Sequence, residues 1–182
     1  MGWVLKKTIV MVGMMGAGKT SVGKAVAAQL GVAFRDSDAE IEAAANMSVA
    51  DIFARDGEPF FRERETRVIR RLLEEEPCVL STGGGAFLSA RNRQMITDKG
   101  VSVWLNADLE VLWNRVRHRD TRPLLRTANP FATLSGLFEA RVPIYAQADL
   151  SVISEAGCSV NDMGARVVRA LETRPDVLEV VA

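Results

Sequence analysis

Gly13-Met14-Met15-Gly16-Ala17-Gly18-Lys19-Thr20 is the stretch on which the reading of this chain turns. The octet fits G-x-x-x-x-G-K-[ST], a phosphate-binding loop. Thr8-Ile9-Val10-Met11-Val12 precedes it, a short apolar run that reads as a buried strand. Val22, Ala25, Val26 and Leu30 follow it at helical spacing. Strand, glycine turn and helix is the geometry that anion binding needs, because the turn N–H groups and the helix N-terminus both face a bound phosphate. Gly13, Gly16 and Gly18 let the backbone curl close to the anion without Cβ clashes. The predicted nucleotide contacts are Gly16, Ala17, Gly18, Lys19, Thr20 and Ser21. Lys19 places a cation beside the β- and γ-phosphates, and the Thr20 hydroxyl is a ligand for Mg²⁺.

The chain is 182 residues long, a length that predicts one domain spanning 1–182 with a buried core. Apolar residues make up 48% and charged residues 25%, as in ordinary globular proteins. Lys+Arg and Asp+Glu number 23 each, so nothing suggests broad attraction to nucleic acid or a membrane surface. The two cysteines, Cys78 and Cys158, have no Cys or His nearby at metal-ligand spacing and read as buried free thiols. No apolar run is long enough to span a bilayer. A cytoplasmic monomer without nucleic-acid or membrane partners is the expectation.

Short apolar runs at 8–12, 33–35, 79–81, 101–105 and 150–153 alternate with helical patterns at 19–30, 39–45, 49–55, 60–75, 90–99, 109–117, 131–147 and 160–171. This alternation predicts βαβ units and a mostly parallel sheet covered on both faces. Residues 117–130 are polar, Arg-rich and hold two prolines, and read as a long surface loop of the kind that forms lids. The sole histidine, His118, falls in that loop and reads as a surface residue. From residue 173 a frayed tail or a short terminal helix is expected.

Ligands of such sheets bind beyond the carboxyl ends of the strands. Asp36-Ser37-Asp38 follows the second predicted strand, Thr82-Gly83-Gly84-Gly85 the third, and Asn106 and Asp108 the fourth. Two carboxylates near a phosphate loop have two jobs open to them. One holds Mg²⁺ through water, and the other binds or deprotonates an acceptor hydroxyl. Asp38 capping a helix that begins near Ala39 is a compatible alternative. Three successive glycines allow backbone N–H groups to approach a substrate closely, or simply make a tight turn. Arg62 and Arg141, on two predicted helices, match a carboxylate bidentately or lie on solvated faces. Glu65 stands one turn after Arg62 and is a natural ion-pair partner for it. Arg115, Arg117, Arg119, Arg122 and Arg126 lack interleaved aromatics, which favours a phosphate clamp over a nucleic-acid patch.

Taken together these motifs resemble the shikimate kinases. The resemblance runs from Gly13 to Tyr145 through Asp36-Ser37-Asp38, Phe61-Arg62-Glu63-Arg64-Glu65, Val79 to Gly85, Arg122-Pro123-Leu124-Leu125 and Arg141-Val142-Pro143-Ile144-Tyr145. It implies a nucleoside-monophosphate-kinase-like α/β fold, with a five-stranded parallel sheet in the order 2-3-1-4-5 and a mobile lid. It implies an ATP- and Mg²⁺-dependent kinase acting on shikimate. Asp38 would bind the shikimate hydroxyls and act as base, and Arg62 and Arg141 would clamp its carboxylate. Gly83, Gly84 and Gly85 would offer N–H groups to it. Lys19 and Arg122 would stabilise the transferring phosphoryl group, and Arg115 would lie against adenine. Thr20 would ligate Mg²⁺, with Asp36 and Ser81 supporting through water. Phe53 and Phe61 would wall the pocket. The chain departs from the family in having no cation in Ser154-Glu155-Ala156-Gly157-Cys158, where a basic residue near adenine is common. A gluconate-type kinase and a non-catalytic nucleotide-binding module are the competing readings.

Overall fold

The run Thr8–Val12 forms strand β2, and every one of its residues is buried. It follows β1 (Gly2–Leu5) and is flanked by β4 (Val79–Ser81) on one side and β5 (Gly100–Ala107) on the other, both parallel to it. Beyond β4 lies β3 (Phe34–Asp36), and beyond β5 lies β6 (Leu150–Ser154), again parallel. The sheet order is therefore β3-β4-β2-β5-β6. Counting only these five strands in chain order gives 2-3-1-4-5, as the family resemblance implies. The computed structural model describes residues 2–118 and 125–182. Arg119 and Arg122, and most of the Arg122-Pro123-Leu124-Leu125 motif, lie outside the described residues.

Strands β2 and β4 are buried along their whole length, so helices must cover both faces of the sheet. Helix α1 (Lys19–Leu30) packs on β4 and on α8 (Val160–Leu171). Helices α4 (Glu58–Glu74) and α5 (Ala90–Lys99) pack on each other, and α5 lies on β5. Between β3 and α4 come α2 (Ser37–Ala45) and α3 (Val49–Asp56), and α6 (Leu109–Val116) packs against α7 (Pro130–Tyr145).

The helix boundaries follow local chemistry. Ser48, Ser89 and Ser159 cap α3, α5 and α8 through their hydroxyls, and Asp162 completes a capping box on α8. Helix α1 has no side-chain cap: it starts after Gly18, whose φ is 95°. Its first N–H groups are thus left for an anion.

Residues after Thr173 form neither a frayed tail nor a helix. A turn leads into β7 (Leu178–Val181), which pairs antiparallel with β1 from Gly2↔Val181 to Leu5↔Leu178. The Lys6 N–H donates to the Val177 carbonyl at 2.7 Å, and Val177 and Leu178 are buried. The two strands satisfy one another's backbone at opposite ends of the chain, which no local sequence pattern announces. Deleting residues 174–182 removes two buried aliphatic side chains, each contributing about 1.5–3 kcal/mol. The expected loss in melting temperature, followed by circular dichroism, is about 10 °C. A truncated chain that melts within about 2 °C of the full one would show the clasp to be dispensable.

Candidate active site

A cleft of about 760 Å³ opens along the carboxyl ends of the strands. Its floor is the phosphate loop. Gly16 has φ 83°, and a Cβ there would come within 2.6 Å of Val116 Cγ1, so neither the conformation nor the space admits another residue without movement. The Lys19 ammonium donates to the carbonyls of Gly13 at 2.6 Å and Met14 at 3.5 Å, which keeps it at the mouth of the loop. Ala17, Gly18, Thr20 and Ser21 line the same floor.

The Arg115 guanidinium bridges the loop to the far strand. It donates to the carbonyls of Gly16 (3.1 Å) and Ala17 (3.3 Å) and to Ser154 Oγ (3.2 Å). It lines the end of the cleft formed with Ala156, Cys158, Val160 and Met163. Cys158 is therefore not a core thiol: it is half-buried and faces the cleft, whereas Cys78 is buried. The sequence misplaces Cys158 because it lies just beyond β6, where the chain has already left the core. Asn106 and Asp108, grouped with this rim from the sequence, do not line the cleft. His118 is exposed and accepts from Arg117 at 3.1 Å.

The two aspartates at the end of β3 divide their tasks. Asp36, not Asp38, caps the following helix: its Oδ1 accepts from the N–H groups of Asp38 (2.9 Å) and Ala39 (3.1 Å). The helix starts at Ser37, two residues earlier than the apolar spacing indicates, because the capping side chain sits one residue before the first turn. Asp38 is thereby released from capping. It projects into the cleft with Oδ1 buried and without a hydrogen-bond partner. Burial raises its pKa above the ordinary carboxylate range, reinforced by Asp36 and opposed by Lys19 and Arg62.

The opposite wall comes from α4 and α7. Arg62 Nη1 pairs with Glu65 Oε1 at 2.9 Å, and its Nε reaches Glu58 at 3.4 Å. Glu65 is 1% exposed, and its second oxygen, Oε2, is buried without a partner. Burial raises the Glu65 pKa and Arg62 opposes the rise. The spacing indicated this pair, but its depth in the protein was not legible from the sequence. Phe53 and Phe61 meet at 4.7 Å between ring centroids and flank the same pocket.

The three glycines after β4 each stand against one of these side chains. A Cβ at Gly83 would lie 3.1 Å from Asp38 Oδ2. One at Gly84 would lie 3.1 Å from Arg141 Nη1, and one at Gly85 would lie 2.6 Å from Arg62 Nη1. Close approach, rather than turn geometry, is what these positions require: none of the three has a positive φ. Asp38, Arg62, Arg141 and the glycine backbone thus converge on one pocket beside the phosphate loop. The pocket offers two cations, a buried carboxylate and backbone donors, which suits a small polyhydroxy acid.

A phosphate loop feeding such an acceptor pocket on a five-stranded parallel sheet defines a P-loop kinase of small molecules. The family model described as shikimate kinase matches residues 15–172. The chain is 70% identical over 175 residues to a shikimate kinase of Ruegeria pomeroyi, covering 96% of this chain and 90% of that one. It is 67% identical to a shikimate kinase of Cereibacter sphaeroides, covering 96% and 87%. The solved structure of shikimate kinase from Acinetobacter baumannii in complex with shikimate superposes with a TM-score of 0.85 at 36% identity, covering 92% of this chain and 93% of that one. The chain belongs to the shikimate kinase family.

The buried state of Asp38 carries a cost in stability. Its folded pKa exceeds its unfolded one, so the native state holds the proton longer and stability falls as pH rises through that interval. Below the unfolded value both states are protonated and the cost vanishes. Asp38→Asn is therefore expected to raise the melting temperature at pH 7–8 by about 2–4 °C, corresponding to about 1 kcal/mol. The gain should shrink toward pH 3. A variant that melts below the native protein at pH 8 would contradict this placement of Asp38.

Proposed function

We propose that this chain transfers the γ-phosphoryl group of ATP to the 3-hydroxyl of shikimate, giving ADP and shikimate 3-phosphate. The observation that carries the reading is the acceptor pocket itself. Asp38, with an unpartnered buried oxygen, faces the cleft that also holds Arg62, Arg141 and the glycine loop. A module that only binds nucleotide has no use for a buried carboxylate that destabilises it.

The proposed roles follow from position. Arg62 and Arg141 take the shikimate carboxylate, and the N–H groups of Gly83, Gly84 and Gly85 bind the same molecule. Asp38 accepts a hydrogen bond from the attacking hydroxyl and takes its proton as the phosphoryl group moves across. Its raised pKa, caused chiefly by burial, makes it a better base than an exposed aspartate. Lys19 stabilises charge on the transferring group, and the uncapped N-terminus of α1 receives the nucleotide phosphates. Arg115 orders the loop from behind and offers its face to adenine. Arg122 is assigned to the phosphoryl group from the sequence motif alone.

Mg²⁺ fits the donors present. It keeps most of its waters and needs only one or two protein oxygens beside the phosphates. Thr20 and Asp36 both line the cleft, and Asp36 Oδ1 is already fixed by two N–H groups. When bound, the ion would neutralise phosphate charge. A cytoplasmic monomer is the proposed working form. Among the described residues, no helix is long and apolar enough to cross a membrane.

ADP release measured over a panel of small hydroxy acids should rise with shikimate and stay near background with gluconate. Lys19→Ala should lower turnover by about 10²–10³ while circular dichroism stays native. Near-normal turnover in a folded variant would remove the kinase reading.

Gly85→Ala separates the acceptor pocket from the nucleotide site. Its Cβ collides with the Arg62 guanidinium, which can swing away on a flexible side chain. Shikimate affinity in calorimetric titration is expected to drop by at least tenfold, with ATP affinity unchanged. Equal loss of both would mean that the glycine loop does not belong to the acceptor pocket.

A further inference from the structure

The carbonyl groups of the glycine loop are all engaged within the protein. Ala86 N–H donates to Gly83 O at 3.2 Å and Leu88 N–H to Gly85 O at 3.2 Å. The Tyr145 hydroxyl donates to Gly84 O at 2.6 Å, and the Asn92 carboxamide to Ala86 O at 2.9 Å. Among the described residues, no N–H of Gly83, Gly84 or Gly85 donates to a protein acceptor. In a trans peptide the carbonyl of one residue and the N–H of the next point in opposite directions. A bond that draws the Gly84 carbonyl into the protein therefore turns the Gly85 N–H outward. Gly85 is the residue against which the Arg62 guanidinium rests, and Gly84 stands against Arg141.

Tyr145 makes this bond from outside the cleft. It is fully buried, and its ring stacks with those of Phe87 and Trp104, with centroids 6.4 Å from each. It sits one helical turn after Arg141 on α7. Burial raises the pKa of its phenol, opposed by the neighbouring Arg141 guanidinium, so the hydroxyl remains a donor at neutral pH. One side chain thus holds the peptide that presents the Gly85 N–H next to Arg62, from the helix that also carries Arg141.

We propose that Tyr145 is a positioning residue for the acceptor: its hydroxyl fixes the Gly84–Gly85 peptide so that the Gly85 N–H joins Arg62 in receiving the substrate carboxylate. It sets acceptor affinity without touching substrate or nucleotide. This rests on the kinase reading above. Asn92, buried and itself accepting from Thr66 at 2.8 Å, holds the other end of the loop.

Tyr145→Phe removes one oxygen and keeps the ring. With the native enzyme turning over shikimate, the variant should show a shikimate KM raised about five- to tenfold, the scale of one lost hydrogen bond. Its ATP KM should stay within about twofold and its kcat within about threefold. Amide exchange across 83–85 should quicken. A lower melting temperature with unchanged shikimate KM, a failure to fold, or equal rises in both KM values would assign the hydroxyl to general stability and overturn the proposal. If the native enzyme itself does not phosphorylate shikimate, the kinase reading fails first. The exchange at 83–85 then still reports whether Tyr145 orders the loop.

Discussion

The pocket depends on the register of three parallel strands. Met11 of β2, Ser81 of β4 and Asp36 of β3 stand in one row, because Ser81 pairs with both of the others. The residues that follow each strand therefore emerge at one height: the phosphate loop, Gly83 and Asp38. Thr82 adds a pin, its hydroxyl donating to the Met11 carbonyl at 3.0 Å. A slip of one residue would move Asp38 by about 3.3 Å along the strand and turn its neighbours to the other face. Burial of β2 and β4 on both sides makes such a slip costly, so the core holds the chemical groups in line.

Two of the buried carboxylates leave an oxygen unmet beside the cleft. Among the described residues, the buried oxygens and nitrogens without partners are those of Trp3, Ser37, Asp38 and Glu65, and the last two face the cleft. Among the described residues, buried polar side chains other than these four find partners, as in the reciprocal bonds between Ser102 and Asp149. The contrast marks the acceptor pocket as the place where stability has been given up for binding.

Much of this was legible in the sequence. Glycines, β-branched runs and helical spacing are local signals, and they located the phosphate loop, the five main strands and the glycine triplet. The order of the sheet came from the family resemblance. The clasp of β1 and β7 was not legible, since each strand is half-exposed and its partner lies at the other end of the chain. That Asp36 rather than Asp38 caps α2 was not legible, because two aspartates at a helix start look alike until backbone angles separate them. The hydroxyl of Tyr145 could be recognised only once α7 had been packed beside the glycine loop.

The pairing of Arg62 with Glu65 also limits how this pocket can be re-aimed at other acceptors. An uncharged acceptor has no need of Arg62, yet removing it alone would strand the Glu65 carboxylate in the interior. Arg62 is partly exposed but Glu65 is buried, so losing the guanidinium leaves a buried acceptor unmet at a cost of about 1–3 kcal/mol. Drift in specificity at this position must therefore pass through a double change, with position 65 altered before or together with position 62. A lineage that samples one substitution at a time meets a barrier there, and loyalty to a carboxylate-bearing acceptor is upheld by the folding requirement as well as by selection on activity.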